Sequence, residues 1–241
     1  MVRRCLAYAA AVAGLSAAAS LTSAEADNGA VIELFTSQGC SSCPAADALL
    51  DRIAAEPNTV AITLAIDVWD YLGWKDTLAD PRNTVRWKAY SKSRGDRQVY
   101  TPQAVINGAE HALGSDRSAI DKAITKSRKH PQVMSVSVRL EGRQVTIVGD
   151  PGIGAAVDVV VVGLARAVTV MIQRGENKGR TVTYHNVVRS WERLESWNGK
   201  PGSFPLPALK RDGVDATAVL VQASNDGMPG AILGAAVASL R

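Results

Sequence analysis

An α/β domain followed by a smaller all-β, sandwich-like domain is the fold class this sequence predicts, behind an N-terminal export signal. Three observations carry that reading. Apolar runs and helically spaced segments alternate from Val31 to about Lys129. Beyond His130-Pro131 the texture changes to short alternating runs separated by Gly-rich turns. A Cys40-Ser41-Ser42-Cys43 pair falls between the first apolar run and the first helical segment. Residues 1–26 are read as a signal peptide, 27–130 as the α/β domain and 131–241 as the β-domain.

The signal reading rests on order. Arg3 and Arg4 precede an apolar stretch from Leu6 to about Ala19, and Ala24-Glu25-Ala26 follows with small residues where a signal peptidase reads. That stretch is shorter than the roughly 20 residues a membrane-spanning helix needs. The plainer alternatives are an uncleaved anchor or an ordinary Ala-rich helix. Cleavage after Ala26 leaves a periplasmic or secreted protein beginning near Asp27, with no stable membrane anchor. It also removes Cys5, so the 3 cysteines of the full chain become the Cys40–Cys43 pair.

In the first domain, Val31 to Thr36 is a compact run expected as a buried strand. Ala45, Ala46, Leu49, Leu50 and Ile53 then recur at helical spacing until Pro57. Val60 to Ile66 is a second strand, and Trp69 to Trp74 an aromatic loop. Pro81 opens a helix running to about Ser93. Gln103 to Asn107 is a strand, Asn107-Gly108 a hairpin turn into another strand, and Ser115 a candidate cap for a helix ending near Lys129. In the second domain, strands are expected at Val133 to Leu140, Arg143 to Val148, Val157 to Leu164, Ala167 to Gln173, Arg180 to Arg189, Ala216 to Ala223 and Ile232 to Leu240.

Composition excludes some classes. With 46% hydrophobic and 21% charged residues, and a mean hydropathy of +0.01, this is an ordinary globular chain. Its formal charge of +4 falls by one when Arg3, Arg4 and Glu25 leave. The basic residues form no stripe, which gives nucleic-acid binding no support. His111, His130 and His185 fall in separate segments without metal-ligand spacing, so no metal site is expected. Arg174 to Arg180 lacks the strand-loop-helix setting of a phosphate loop and reads as a hairpin tip.

The cysteines carry the chemistry. A disulfide that closes so small a loop stabilises little, so the pair points to reactivity. At the start of a helix, unpaired N–H groups and the helix dipole favour a thiolate. Cys40, nearer the loop, is the expected exposed, attacking sulfur, and Cys43, one turn in and pointing inward, the resolving one. Ser41 and Ser42 can donate hydroxyl hydrogen bonds to the thiolate. Pro44 sits early enough in the helix to break no hydrogen bond.

With the strand before it, the helix after it, and Thr101-Pro102 ahead of a later strand, the Cys-x-x-Cys makes residues 31–130 resemble a thioredoxin fold. Thr101-Pro102 matches its cis-proline, which packs beside the sulfurs. By that resemblance the Thr101 backbone pairs with an extended substrate segment, and Pro102, lacking N–H, keeps a donor away from the sulfurs. More widely, Glu33 to Pro44, Asp67 to Trp74, Tyr100 to Gln103 and Arg174 to Asn177 resemble a family of exported bacterial proteins known as domain of unknown function family 1223. That family supplies no substrate. Departures from ordinary thioredoxin are Gln38-Gly39 in place of a tryptophan before Cys40, and the Ser-Ser dipeptide. Glu33 lies near the position of a buried acid that relays the resolving thiol's proton, about one residue off; the alternative is a solvent-facing Glu. Trp69, Tyr71, Trp74 and Trp87 either shape a peptide-binding surface or pack as a local lid.

The expected catalytic residues are therefore Cys40, Cys43 and Glu33, with Ser41, Ser42, Thr101, Pro102 and Trp69 contacting substrate. The leading function is a thiol-disulfide oxidoreductase that acts on protein thiols or disulfides in an exported compartment, needs no cofactor, and exchanges electrons with an unidentified partner. The alternatives are a copper(I)-binding or copper-delivery protein, because soft thiolates select a soft metal, and a binding module whose disulfide is vestigial.

Overall fold

The structure is a computed structural model and describes residues 29–152, 154, 156–209, 212–225 and 227–240. The expected signal peptide, with Cys5, lies outside the described residues.

Among the described residues the chain is a mixed α/β fold: a large central sheet of eight strands and a smaller antiparallel sheet of three. The first strand, β1 (Ala30–Thr36), is buried along its whole length. It runs parallel to β2 (Thr59–Ala65), with Ala30 opposite Thr59 and Thr36 opposite Ala65. The β1–β2 crossover is α1 (Cys43–Ala54), whose inward residues include Cys43, Ala46, Leu50 and Ile53 at helical spacing. Next come α2 (Pro81–Arg94), the hairpin β3 (Gln103–Ile106) and β4 (Glu110–Leu113), and α3 (Arg117–Ser127). β3 pairs antiparallel with β1. The Asn107-Gly108 turn has φ of +51° and +66°. A side chain at Gly108 would also strike the Gly230 carbonyl at 2.1 Å, so glycine is required twice over. The cap of α3 is Asp116, which accepts from Ala119 N at 2.9 Å, and not the expected Ser115.

Because strand side chains alternate, β1 splits the core in two. Ile32 and Leu34 face α1 and α3, against Leu49, Leu50, Ile53 and Ile120. Val31 and Phe35 face the other way, toward α2, against Trp87 and Tyr90. Each such fully buried aliphatic side chain contributes about 2 kcal/mol.

The second half joins the first through the sheet itself. β7 (Ala156–Met171) and β8 (Thr181–Trp197) form a long hairpin, and β10 (Ala216–Asn225) and β11 (Met228–Ser239) extend it outward. β8 lies parallel to β2 with Thr63 opposite Val187. Side chains reinforce that seam: Thr63 Oγ1 donates to His185 O at 2.7 Å, and Asn186 Nδ2 to Ala61 O at 2.9 Å. The smaller sheet, β5 (Ser137–Glu141), β6 (Gln144–Val148) and β9 (Gly202–Pro205), covers the far face. There Val145 and Ile147 meet Val157, Val159, Val219 and Val221. The smaller antiparallel sheet thus packs on strands of the large one, which takes strands from both sides of residue 130. The two short strands expected at 157–164 and 167–173 are one, because register shifts at Val159/Val160 and Gly163/Leu164 let β7 run on.

Candidate functional site

β1 ends at Thr36, and residues 37–42 turn the chain into α1. Cys40 N donates to Ser37 O at 3.1 Å, and Cys43 N to Cys40 O at 3.2 Å. Cys40 and Cys43 form a disulfide with Cα atoms 5.4 Å apart. Cys43 is inward as expected and fully buried, but Cys40 exposes only 4% of its surface in the disulfide and is not the exposed sulfur expected, because Thr101 and Ser42 close over it. Ser42 occupies the N-cap of α1 but makes no capping bond. Its hydroxyl lies 3.4 Å from Cys40 Sγ and 3.5 Å from Thr101 O. The first turn of α1 is capped by backbone instead, through the Cys43 N–H to Cys40 O bond, and Pro44 beside it has no N–H to satisfy. The Thr101–Pro102 bond is cis, and Thr101 Oγ1 lies 3.4 Å from Cys40 Sγ. Trp69 Nε1 donates to Thr101 Oγ1 at 2.8 Å. The fold therefore gathers Cys40, Cys43, Ser42, Thr101, Pro102 and Trp69. Ser41 is exposed on the same loop.

Glu33 is elsewhere. It is fully buried, neither solvent-facing nor beside the cysteines. Residues 31, 33 and 35 share the α2 face of β1, and a displacement of one residue in a strand moves a side chain to the opposite face. There Arg86 Nε and Nη2 reach the Glu33 carboxylate at 2.7 and 3.2 Å, and Tyr90 donates its hydroxyl to it. Gln222 of β10 closes the network, accepting from Arg86 at 2.9 Å and donating to Tyr90 at 2.8 Å. Arg86 also lies over the Trp191 ring at 4.5 Å. Burial pushes the Tyr90 hydroxyl well above its ordinary range.

The buried acid on the cysteine side is Asp47. It stands four residues after Cys43 on the inward face of α1 and is 4% exposed. Thr36, on the α1 face of β1, donates to Asp47 Oδ1 at 2.7 Å. Asp47 Oδ2 is buried without a hydrogen-bond partner among the described residues. Burial, opposed by the Thr36 bond, pushes its carboxyl up to about 7. The signal was present in the sequence: the stripe Cys43, Ala46, Leu50, Ile53 runs past residue 47, so an acid there falls on an apolar face.

Two further segments hold the cysteine loop. Asp76 Oδ2 accepts from Gln38 N at 2.7 Å, and its Oδ1 accepts from Leu78 N and Ala79 N at 2.9 and 3.1 Å. Trp74 Nε1 donates to Gln38 Oε1 at 2.8 Å. From the tip of the β7–β8 hairpin, Asn177 Nδ2 donates to Gln38 O at 2.9 Å and Cys40 O at 2.8 Å. The expected hairpin tip at 174–180 is thus in place, and it reaches back to the site. The expected aromatic surface divides. Tyr71 is 75% exposed beside a partly buried Trp69, with ring centroids 6.1 Å apart. Trp87 belongs to the core, its indole N–H bonded to Gln103 Oε1 at 2.7 Å. Among the described residues, no group of three or more His, Cys, Asp or Glu is placed to hold a metal ion.

The chain is similar over its whole fold to solved structures. A protein from Agrobacterium tumefaciens is 34% identical, with a TM-score of 0.75 over 88% of this chain and 94% of that one. HBP35 of Porphyromonas gingivalis shares the fold at 15% identity, with a TM-score of 0.60 over 88% of this chain and 75% of that one. No curated protein matches. Residues 31–222 match the protein family of unknown function DUF1223, and with most of its length inside that match the chain belongs to this family.

Proposed function

We propose that this protein is a thioredoxin-like thiol-disulfide oxidoreductase of an exported compartment. One observation carries the reading: a Cys40–Cys43 pair at the mouth of α1 whose outer sulfur lies 3.4 Å from two hydroxyls, those of Ser42 and Thr101. In the reducing direction the Cys40 thiolate attacks a substrate disulfide, forming a mixed disulfide and releasing one substrate thiolate. The Cys43 thiolate then attacks Cys40 Sγ, releasing the second thiolate and closing the Cys40–Cys43 bond. Two electrons pass from the pair to the substrate, and with the pair oxidised the same steps run backwards. Asp47, poised near neutral pH, takes the Cys43 proton as that sulfur becomes a nucleophile, the role the sequence assigned to Glu33. Helix α1 with β1, β2 and the β3–β4 hairpin supports the thioredoxin-like reading. The Arg3-to-Ala26 order supports export.

The test is trapping. Cys43→Ala is expected to accumulate mixed disulfides with exported proteins under acid quench, and Cys40→Ala few or none, as read by mass spectrometry. N-terminal sequencing of the same material is expected to begin near Asp27; Met1 there would remove export from the reading. Equal trapping by both variants would refute the division of labour. No trapping by either, with tight copper(I) binding by the reduced pair, would hand the site to the metal-handling alternative.

A further inference from the structure

We propose that Trp69 is a positioning residue for the Cys40 sulfur and acts through the Thr101 hydroxyl. The proposal deepens the redox reading, since it concerns the sulfur that reading makes the attacker.

An indole N–H can only donate, whereas a hydroxyl has one proton to give and two lone pairs to receive. Trp69 Nε1 lies 2.8 Å from Thr101 Oγ1, so the indole proton occupies one lone pair. The Thr101 proton must then point away from the indole. The acceptor within reach is Cys40 Sγ, at 3.4 Å. Ser42 differs. Its hydroxyl stands at the same 3.4 Å from the sulfur but also has the Thr101 carbonyl at 3.5 Å, so its single proton has two destinations. Of the two hydroxyls around Cys40, the Thr101 one is committed, and Trp69 commits it.

The backbone is built to keep Trp69 there. A Cβ at Gly39 would meet Trp69 Cβ at 2.9 Å and Trp69 O at 3.2 Å. Glycine next to Cys40 therefore lets the Trp69 backbone lie against the cysteine loop. Leu72 N donates to Trp69 O at 3.0 Å, closing the single 3-10 turn Asp70–Leu72. Asp70 Oδ1 accepts from Asp76 N at 3.0 Å, and Asp76 in turn holds Gln38 N. The aromatic loop and the cysteine loop are thus fastened together at both ends of the Trp69–Thr101–Cys40 chain.

The consequence lies in the reduced state. A sulfur in a disulfide or thiol accepts a hydrogen bond weakly, and a thiolate accepts one strongly. A hydroxyl already aimed at Sγ favours the thiolate and lowers the Cys40 thiol pKa. The same bond makes Cys40 the better leaving group when a thiolate attacks the sulfur that is disulfide-bonded to it.

The thiol pKa of Cys40 can be read without any substrate, from the pH dependence of iodoacetamide alkylation in reduced protein carrying Cys43→Ser. Trp69→Phe is expected to raise that pKa by about one pH unit, and Thr101→Val by as much or more. Thr101→Ser, which keeps the hydroxyl, should stay near the parent value. The double variant should match Thr101→Val alone, because Trp69 has no other route to the sulfur. Replacing Trp69 by benzothienylalanine, which keeps the ring shape and lacks the N–H, should reproduce Trp69→Phe and settles the matter if the phenylalanine variant folds poorly. An unchanged pKa in these variants would overturn the proposal, and so would an equal shift from Trp69→Phe in the Thr101→Val background. A pKa that behaves as expected in a protein that traps no substrate would leave this inference standing and sink the oxidoreductase reading.

Discussion

Glu33 and Asp47 are two carboxylates sealed from water on opposite sides of β1, and they are held in opposite ways. Glu33 faces a guanidinium, a phenol and, through them, an amide from β10. Asp47 faces a threonine hydroxyl on one oxygen and, among the described residues, no hydrogen-bonding partner on the other. The paired carboxylate points to the face of β1 turned away from α1 and its sulfurs, and its network ties α2 and β1 to the second half. The unpaired one shares a helix face with Cys43. Burial alone therefore does not mark a working acid; what distinguishes Asp47 is that its charge is left uncompensated, so its protonation can change near neutral pH.

The sharpest way to break this comparison is to remove the paired acid. Glu33→Ala strands Arg86 in the core and is expected to cost about 3–5 kcal/mol in chemical denaturation. The alkylation rate of Cys40 should be left alone. A small loss of stability, or a large change in thiol reactivity, would show that the two acids had been assigned the wrong way round.

The second prediction concerns pH. A carboxyl whose folded pKa is raised binds its proton more tightly folded than unfolded. The native state therefore loses stability as pH rises from the unfolded value near 3.8 to about 7. Asp47→Asn should flatten that stretch relative to wild type, where the loss has a ceiling of about 1.4 kcal/mol per pH unit. It should also slow release of the mixed disulfide without abolishing its formation. Parallel stability curves for the two proteins would count against the raised carboxyl.

Asn177 lies between the two cases, with both amide protons used and its carbonyl oxygen buried without a partner among the described residues. Asn177→Ala leaves the Gln38 and Cys40 carbonyls without that donor and is expected to lower stability by about 1–3 kcal/mol. The loss should be accompanied by faster alkylation of reduced Cys40. A destabilised protein with unchanged alkylation would make Asn177 a fold residue alone.

Much of the first half was legible because its signals are local. The helix from Cys43, the helix from Pro81 and the Asn107-Gly108 turn each follow from spacing or turn chemistry within a few residues, and all are where expected. Thr101-Pro102 was readable beside the cysteines as a pattern. What escaped depends on partners distant in sequence. Glu33 was misplaced because one residue of strand register decides which face it sees, and apolar residues on both sides of β1 hide the register. Trp87 resembles its loop neighbours in composition and differs in facing Phe35 and Gln103 across the core. The edge-to-edge meeting of β2 and β8 rests on Thr63 and Asn186, polar residues with no apolar period to announce them.

The Asn177 amide also sets a timetable. It meets Gln38 O across 139 residues of chain and Cys40 O across 137. Made from its N-terminus, the protein carries both cysteines long before it carries the side chain that steadies the loop between them. Contacts at such separation close only after the intervening segments have found their places. In the interval the sulfurs ride on a loop gripped from the aromatic side alone. The β7–β8 hairpin, which follows every element of the first half, is the one that finishes the first chemical feature of the chain, so a completed cysteine loop is also a report that this hairpin has arrived.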